Sequence, residues 1–133
     1  MNKVSVQAQT KVWGETSKVA AAPGFQVHYL KIKAGTYCSR HYHENKWNIF
    51  YVTRGAVSVR TYPGPKPGVK IEELIELRLR AGQSTVVPPH VWHRFVAHED
   101  SEMIEVYMVP DVREDDIQRA DVGGVIEPGG TAP

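Results

Sequence analysis

The sequence predicts an all-β, single-domain barrel. Three observations carry this: short β-rich runs recur along the chain, Gly and Pro separate them, and no helical period of more than about two turns occurs before residue 110. At 133 residues the chain fits one domain and one core.

In chain order, Phe25–Lys33 ends in alternation, with Leu30 and Ile32 on one face and Lys31 and Lys33 on the other. Ala34-Gly35 turns the chain. Trp47–Thr53 is aromatic and β-branched, residue types that favour half-buried pleated surfaces, and Gly55 breaks it. Val57 and Val59 alternate with Ser58 and Arg60. Pro63-Gly-Pro-Lys-Pro-Gly68 reads as an exposed loop. Ile75, Leu77 and Leu79 alternate with Glu76, Arg78 and Arg80, one dry face and one wet. Thr85-Val86-Val87 stops at Pro88-Pro89, and Trp92–Ala97 and Met103–Val109 complete at least seven strands. Residues 111–121 are charged and read as one turn of helix or an extended arm. From Gly123 onward the Gly/Pro-rich chain reads as loosely ordered.

Composition narrows the function. Apolar residues make up 41%, charged residues 23%, and the net charge is +1, so neither a nucleic-acid footprint nor an acidic membrane partner is expected. The single Cys38 allows no internal disulfide. No apolar run approaches signal-peptide or membrane-span length, and the expected compartment is the cytoplasm. Pairing with a copy of itself to form a homodimer is one way so short a barrel gains stability.

Four of the six histidines form two clusters. His41 and His43 stand two apart, so on a strand both imidazoles face one side and can share a metal. His90 and His93 follow Pro88-Pro89. The spacing around them is ordered: Gly35, five residues, His41-x-His43; then Asn48, six residues, Gly55; then Gly82, five residues, Pro88, with His93 five positions on.

This two-motif frame resembles the cupin family. The resemblance implies a double-stranded β-helix (jelly-roll) barrel over residues 25–110, with 1–24 as an N-terminal arm and first strand and 111–133 as a charged segment and tail. It implies a divalent metal held by His41, His43 and His93, with position 48 as fourth ligand. Zinc is the first expectation, and iron, manganese, nickel and cobalt are alternatives. Asn48 stands where the family has glutamate, His90 where it has glycine, and Ala97 where it has asparagine. An amide brings no charge to a dication. Glu44 is a substitute ligand only if its strand parity allows it. His90 is a candidate extra ligand, with a polar turn residue at the barrel mouth as the favoured reading.

Val12-Trp13-Gly14, Ser39, His93-Arg94, Ile104-Glu105-Val106 and Glu114-Asp-Asp-Ile-Gln-Arg119 further resemble the C-terminal cupin of type II mannose-6-phosphate isomerases. Those relatives commonly carry glutamine at the position of His41. The likeness implies a sugar or sugar-phosphate ligand and aldose–ketose isomerisation through a metal-stabilised enediolate. Lys46 and Arg94 are then candidate phosphate or hydroxyl contacts, and Glu105 a candidate base if its side chain faces the barrel. The sequence leaves that parity open. A non-catalytic sugar-binding barrel and an Fe(II) dioxygenase are the alternatives.

Overall fold

The computed structural model describes residues 1–64, 73–109 and 116–133. Among them are thirteen strands and no α-helix. They are β1 (Ala8–Lys11), β2 (Gly14–Ala22), β3 (Phe25–Ile32), β4 (Thr36–Tyr37), β5 (His41–Tyr42), β6 (Trp47–Arg54), β7 (Ala56–Tyr62), β8 (Ile75–Arg80), β9 (Ser84–Val87), β10 (Trp92–Ala97), β11 (Ser101–Met108), β12 (Gln118–Arg119) and β13 (Gly124–Val125). Every pairing is antiparallel. One sheet runs β1-β2-β3-β11-β6-β9. In the other, β10 is flanked by β7, which carries β8, and by β5 and β4, which carry β12 and β13. The strand spacing predicts a sandwich or barrel, and this architecture is the jelly-roll that the resemblance implies.

The core lies between the sheets. Leu30 and Ile32 enter from β3, Phe50 and Val52 from β6, Val57 and Val59 from β7, and Phe95 from β10. Trp13 meets Phe95 edge to face at 5.1 Å between centroids, a favoured aromatic geometry. The dry face expected on β8 is only partly dry. Leu79 is buried, but Ile75 and Leu77 are 70% and 47% exposed; among the described residues β8 pairs only with β7, at the edge of the sheet.

Two other expectations change. Residues 1–24 hold two strands, not one. β2 is rich in alanine and polar residues, which favour strands poorly, and takes its form from pairing with β3 along nearly its whole length. The C-terminal segment is not loose. β12 and β13 pair with β5 and β4. A side chain at Gly123 would sit 2.4 Å from Tyr37 O, and one at Gly124 2.7 Å from the Tyr37 hydroxyl. Its glycines permit close packing, which composition alone reads as disorder. Residues 111–115 of the charged stretch, and most of the 63–68 loop, lie outside the described residues.

Gly55 ends β6 at φ +85°, and an added Cβ would lie 2.3 Å from Ser101 Oγ and 2.6 Å from Asp100 O. Backbone strain and contact act together, so Gly55→Ala is expected to cost about 2–4 kcal/mol, read from urea unfolding. A change below about 0.5 kcal/mol would contradict this close approach.

Candidate metal centre

β4 and β5 are two pieces of one line along β10, interrupted at residues 38–40. Tyr37 pairs with Val96 and His41 with His93. This places His41 and His93 side by side, and His43 follows on the same side. Their ring centroids stand 4.6 Å (His41–His93), 5.1 Å (His41–His43) and 5.6 Å (His43–His93) apart. One ring nitrogen from each lies within 4.8 Å of the others.

Each Nδ1 is engaged by a backbone carbonyl: His41 by Ser39 O at 2.8 Å, His93 by Val91 O at 2.8 Å, and His43 by Asp116 O. A carbonyl only accepts, so each Nδ1 carries the proton and each Nε2 keeps its lone pair. His43 Nε2 and His93 Nε2 are buried with no hydrogen-bond partner. Burial is the leading cause that holds His41 well below its usual pKa and lowers His43 and His93 to about 4. At neutral pH the cluster is three bare nitrogen donors, the set a divalent transition metal takes. The residues therefore fit such an ion.

Beside the histidines is a second buried group. Glu105 faces inward on β11 with Ser101 and Met103, while Ile104 and Val106 turn outward. Its Oε1 accepts from the Tyr107 hydroxyl at 2.9 Å and its Oε2 from Asn48 Nδ2 at 3.1 Å. Burial, offset in part by Tyr107, Lys46 and Asn48, raises this carboxyl to about 7. Asn48 is fully buried, and its Oδ1 has no partner. A carboxyl from β11 is thus in contact with the amide at position 48. Lys46 is buried, with Nζ 4.8 Å from the Tyr107 ring centroid.

The structure corrects the expectation for Arg94. Strand alternation puts it on the face opposite His93. Its guanidinium donates to Cys38 O, Asp121 Oδ1 and Pro133 O and lies over Tyr37. It fastens the C-terminal segment and is not among the cavity-lining residues. Glu44 is exposed and also lies outside the cavity lining. His90 is apart from the three-histidine group and adopts φ +67°, which explains why a glycine suits this turn.

His41, His43 and Glu105 line a cavity of about 460 Å³, lined also by Lys11, Lys46 and Arg119, with the His93 ring packed behind His41 and His43. Sequence reasoning missed Lys11 and Arg119 because both sit on short strands whose placement depends on pairing. Arg119 lies directly opposite His41 on β12.

A family model described as a cupin domain matches residues 28–110. The chain is a cupin. No curated protein sequence matches it. Among solved structures it is similar to KdgF from Halomonas sp., with 26% identity over 84% of this chain and 90% of that one and a TM-score of 0.66. It is also similar to the capsular polysaccharide assembling protein CapF from Staphylococcus aureus (18% identity, 90% and 34% coverage, TM-score 0.71). Oxalate decarboxylase from Bacillus subtilis is a third (14%, 86% and 30%, 0.70). This cupin spans about a third of the length of these last two, with which it shares the fold.

The buried titratable groups give the metal-free cupin a defined pH response. The three depressed imidazoles bind protons in the unfolded chain from about pH 6.5 downward but resist them when folded. Their stabilisation is full above pH 6.5 and is lost as pH falls toward 4. His98, also lowered chiefly by burial, acts in the same direction. Glu105 opposes them: raised from 4.5 to about 7, it contributes fully below pH 4.5 and loses this as pH rises to 7. Three imidazoles outweigh one carboxyl. As pH falls below 6.5, unfolding is expected to take up a growing number of protons, about two between pH 5.5 and 4.5, and the melting temperature of the metal-free protein to fall. A metal-free protein that melts higher at pH 5 than at pH 7 would contradict this.

Proposed function

We propose that this cupin is a metal-dependent enzyme that moves a proton beside the carbonyl of a small anionic sugar derivative. The observation that carries the reading is a group of three convergent imidazoles beside a cavity that His41 and His43 line together with an inward carboxyl held by Tyr107 and Asn48. His41, His43 and His93 would hold the ion, with Asn48 Oδ1 as a fourth donor. The ion, when bound, would polarise the substrate carbonyl. Glu105 would accept the proton and return it to the neighbouring carbon, and a carboxyl raised to about 7 suits both directions near neutral pH. Tyr107 and Asn48 fix its orientation.

Substrate charge follows from the lining. Three cations, Lys11, Lys46 and Arg119, surround a single carboxyl, and a bound dication adds to them, so the site favours a phosphorylated or carboxylated sugar. Mannose 6-phosphate is the first compound to test, because the likeness to type II mannose-6-phosphate isomerases runs from Val12-Trp13-Gly14 to Asp121.

The test is NMR of the metal-loaded protein in D₂O with mannose 6-phosphate and a panel of sugar phosphates and sugar acids. Deuterium is expected at the carbon beside the carbonyl of at least one. Binding without exchange across the panel would favour a non-catalytic sugar-binding barrel.

A further inference from the structure

The three imidazoles are not oriented in the same way. His41 and His93 each rest on the carbonyl two residues earlier, Ser39 O and Val91 O, so their own segments set their rings. His43 takes its support from Asp116 O, 73 residues along the chain. Asp116 is buried, and its carboxylate accepts from the Glu44 amide at 2.8 Å and the Asn45 amide at 3.0 Å. It therefore grips the bend that follows His43. Further on, Arg119 lies opposite His41 and donates to Ser39 Oγ, which stands 3.1 Å from His41 Nδ1. Ala120 N donates to Arg40 O at 2.9 Å. Asp121 Oδ1 accepts from Arg40 N at 2.8 Å and from Arg94 Nη2 at 2.7 Å. Arg94 is fully buried and also donates to Cys38 O. Residues 116–121 are thus tied to the His41–His43 segment at both of its ends, and one tie passes through the face of β10 opposite His93.

We propose that residues 116–121 are a positioning strap for the metal centre: Asp116 sets the His43 ring, and the Asp121–Arg94 pair holds the strap in place. The proposal rests on the reading of His41, His43 and His93 as metal ligands. A carbonyl that accepts from Nδ1 fixes both the tautomer and the plane of a ligating imidazole. At His41 and His93 that carbonyl comes with the local chain. At His43 it comes only with the docked strap. With the strap released, two donors stay oriented and the third is free to turn, so binding must also order it and affinity falls. The anchor suits this task. Its hydrogen bonds are charge-assisted, about twice as strong as neutral ones, and the guanidinium that makes them is 0% exposed. The strap also carries Ile117 and Arg119 into the cavity wall, so the same docking completes the pocket. By linkage, metal binding tightens the strap as much as the strap tightens metal binding.

Zinc affinity of the full chain, measured by competition with a chelator, tests this together with amide hydrogen exchange. Asp116→Ala and Asp121→Ala are each expected to weaken zinc binding by about 10–100-fold, the range for loss of a group that orients a ligand. Asp116→Asn keeps one acceptor oxygen for the two amides and should fall between wild type and Asp116→Ala. Arg60→Met is the control. Arg60 holds Ala132 O and Glu76, beyond the strap, and its loss should leave zinc affinity within about threefold of wild type. In the wild type, zinc should slow exchange at the Glu44, Asn45 and Ala120 amides. Wild-type affinity in both alanine variants would overturn the proposal. So would an equal loss in Arg60→Met, which would make the effect one of general stability. A wild type that binds no zinc would contradict the metal reading itself, and the strap with it. Where the wild type binds zinc and His93→Ala does not, that reading stands and the aspartate variants judge the strap alone. If Asp116→Ala fails to fold, Asp116→Asn and Asp121→Ala decide.

Discussion

His93→Ala is expected to weaken divalent-metal binding by more than about a hundredfold while leaving a folded barrel. Changes to groups that only orient a ligand already cost about 10–100-fold, and this one removes a donor. His93 stands opposite His41 on β10, with its proton tied to Val91 O and its Nε2 buried and unpartnered. Without it two imidazoles remain. The metal-free fold should lose little, because the deleted ring carries an unsatisfied buried nitrogen whose removal offsets part of the lost packing. Titration against a competing chelator measures the affinity, and thermal melts with and without metal measure the fold. Stoichiometric metal at wild-type affinity would remove His93 from the centre.

The second large effect is expected at Glu105. Glu105→Gln should slow proton exchange by about 10²–10⁴-fold, the range for loss of a positioned base, and keep stoichiometric metal. The amide has nearly the carboxyl's shape but cannot take the proton. It also offers one acceptor oxygen where Tyr107 and Asn48 now use two, so a loss of about 1 kcal/mol in stability should accompany the change. Wild-type exchange in this variant would exclude Glu105 as the base. Loss of metal together with activity would instead make it a support for Asn48.

Much of this site was legible before any coordinates. The spacing Gly35–His41–His43–Gly55 and Gly82–Pro88–His93 encodes turns and strand faces, and such local geometry survives folding. What could not be read depends on parity and on pairing between distant segments. Glu105 sits between Ile104 and Val106, so local hydrophobicity favours turning it outward. Its partners Asn48 and Tyr107, together with an apolar outer sheet face, turn it in. Arg94 directly follows His93 of the three-histidine group, and that adjacency places it on the other face. Asn48 reads in the sequence as the loss of a ligand charge, and its hydrogen bond to the Glu105 carboxyl depends on the β6–β11 pairing, which local sequence does not carry. The charged stretch before the Gly-rich C-terminus reads as solvated, yet Asp116 accepts from the Glu44 and Asn45 amides, and its carbonyl engages His43. Lys11 and Arg119 reach the cavity only through the β1–β2 and β12–β5 pairings.

The most direct test of the central claim is X-ray absorption spectroscopy of the protein loaded with one equivalent of zinc. Three neutral imidazoles converge here, and the Cys38 sulfur, which accepts from the Phe95 amide, is not among the convergent ligand atoms. The expected spectrum has multiple scattering from three imidazoles, with the remaining first-shell donors oxygen and no sulfur. Two or fewer imidazoles, or a sulfur donor, would contradict the account.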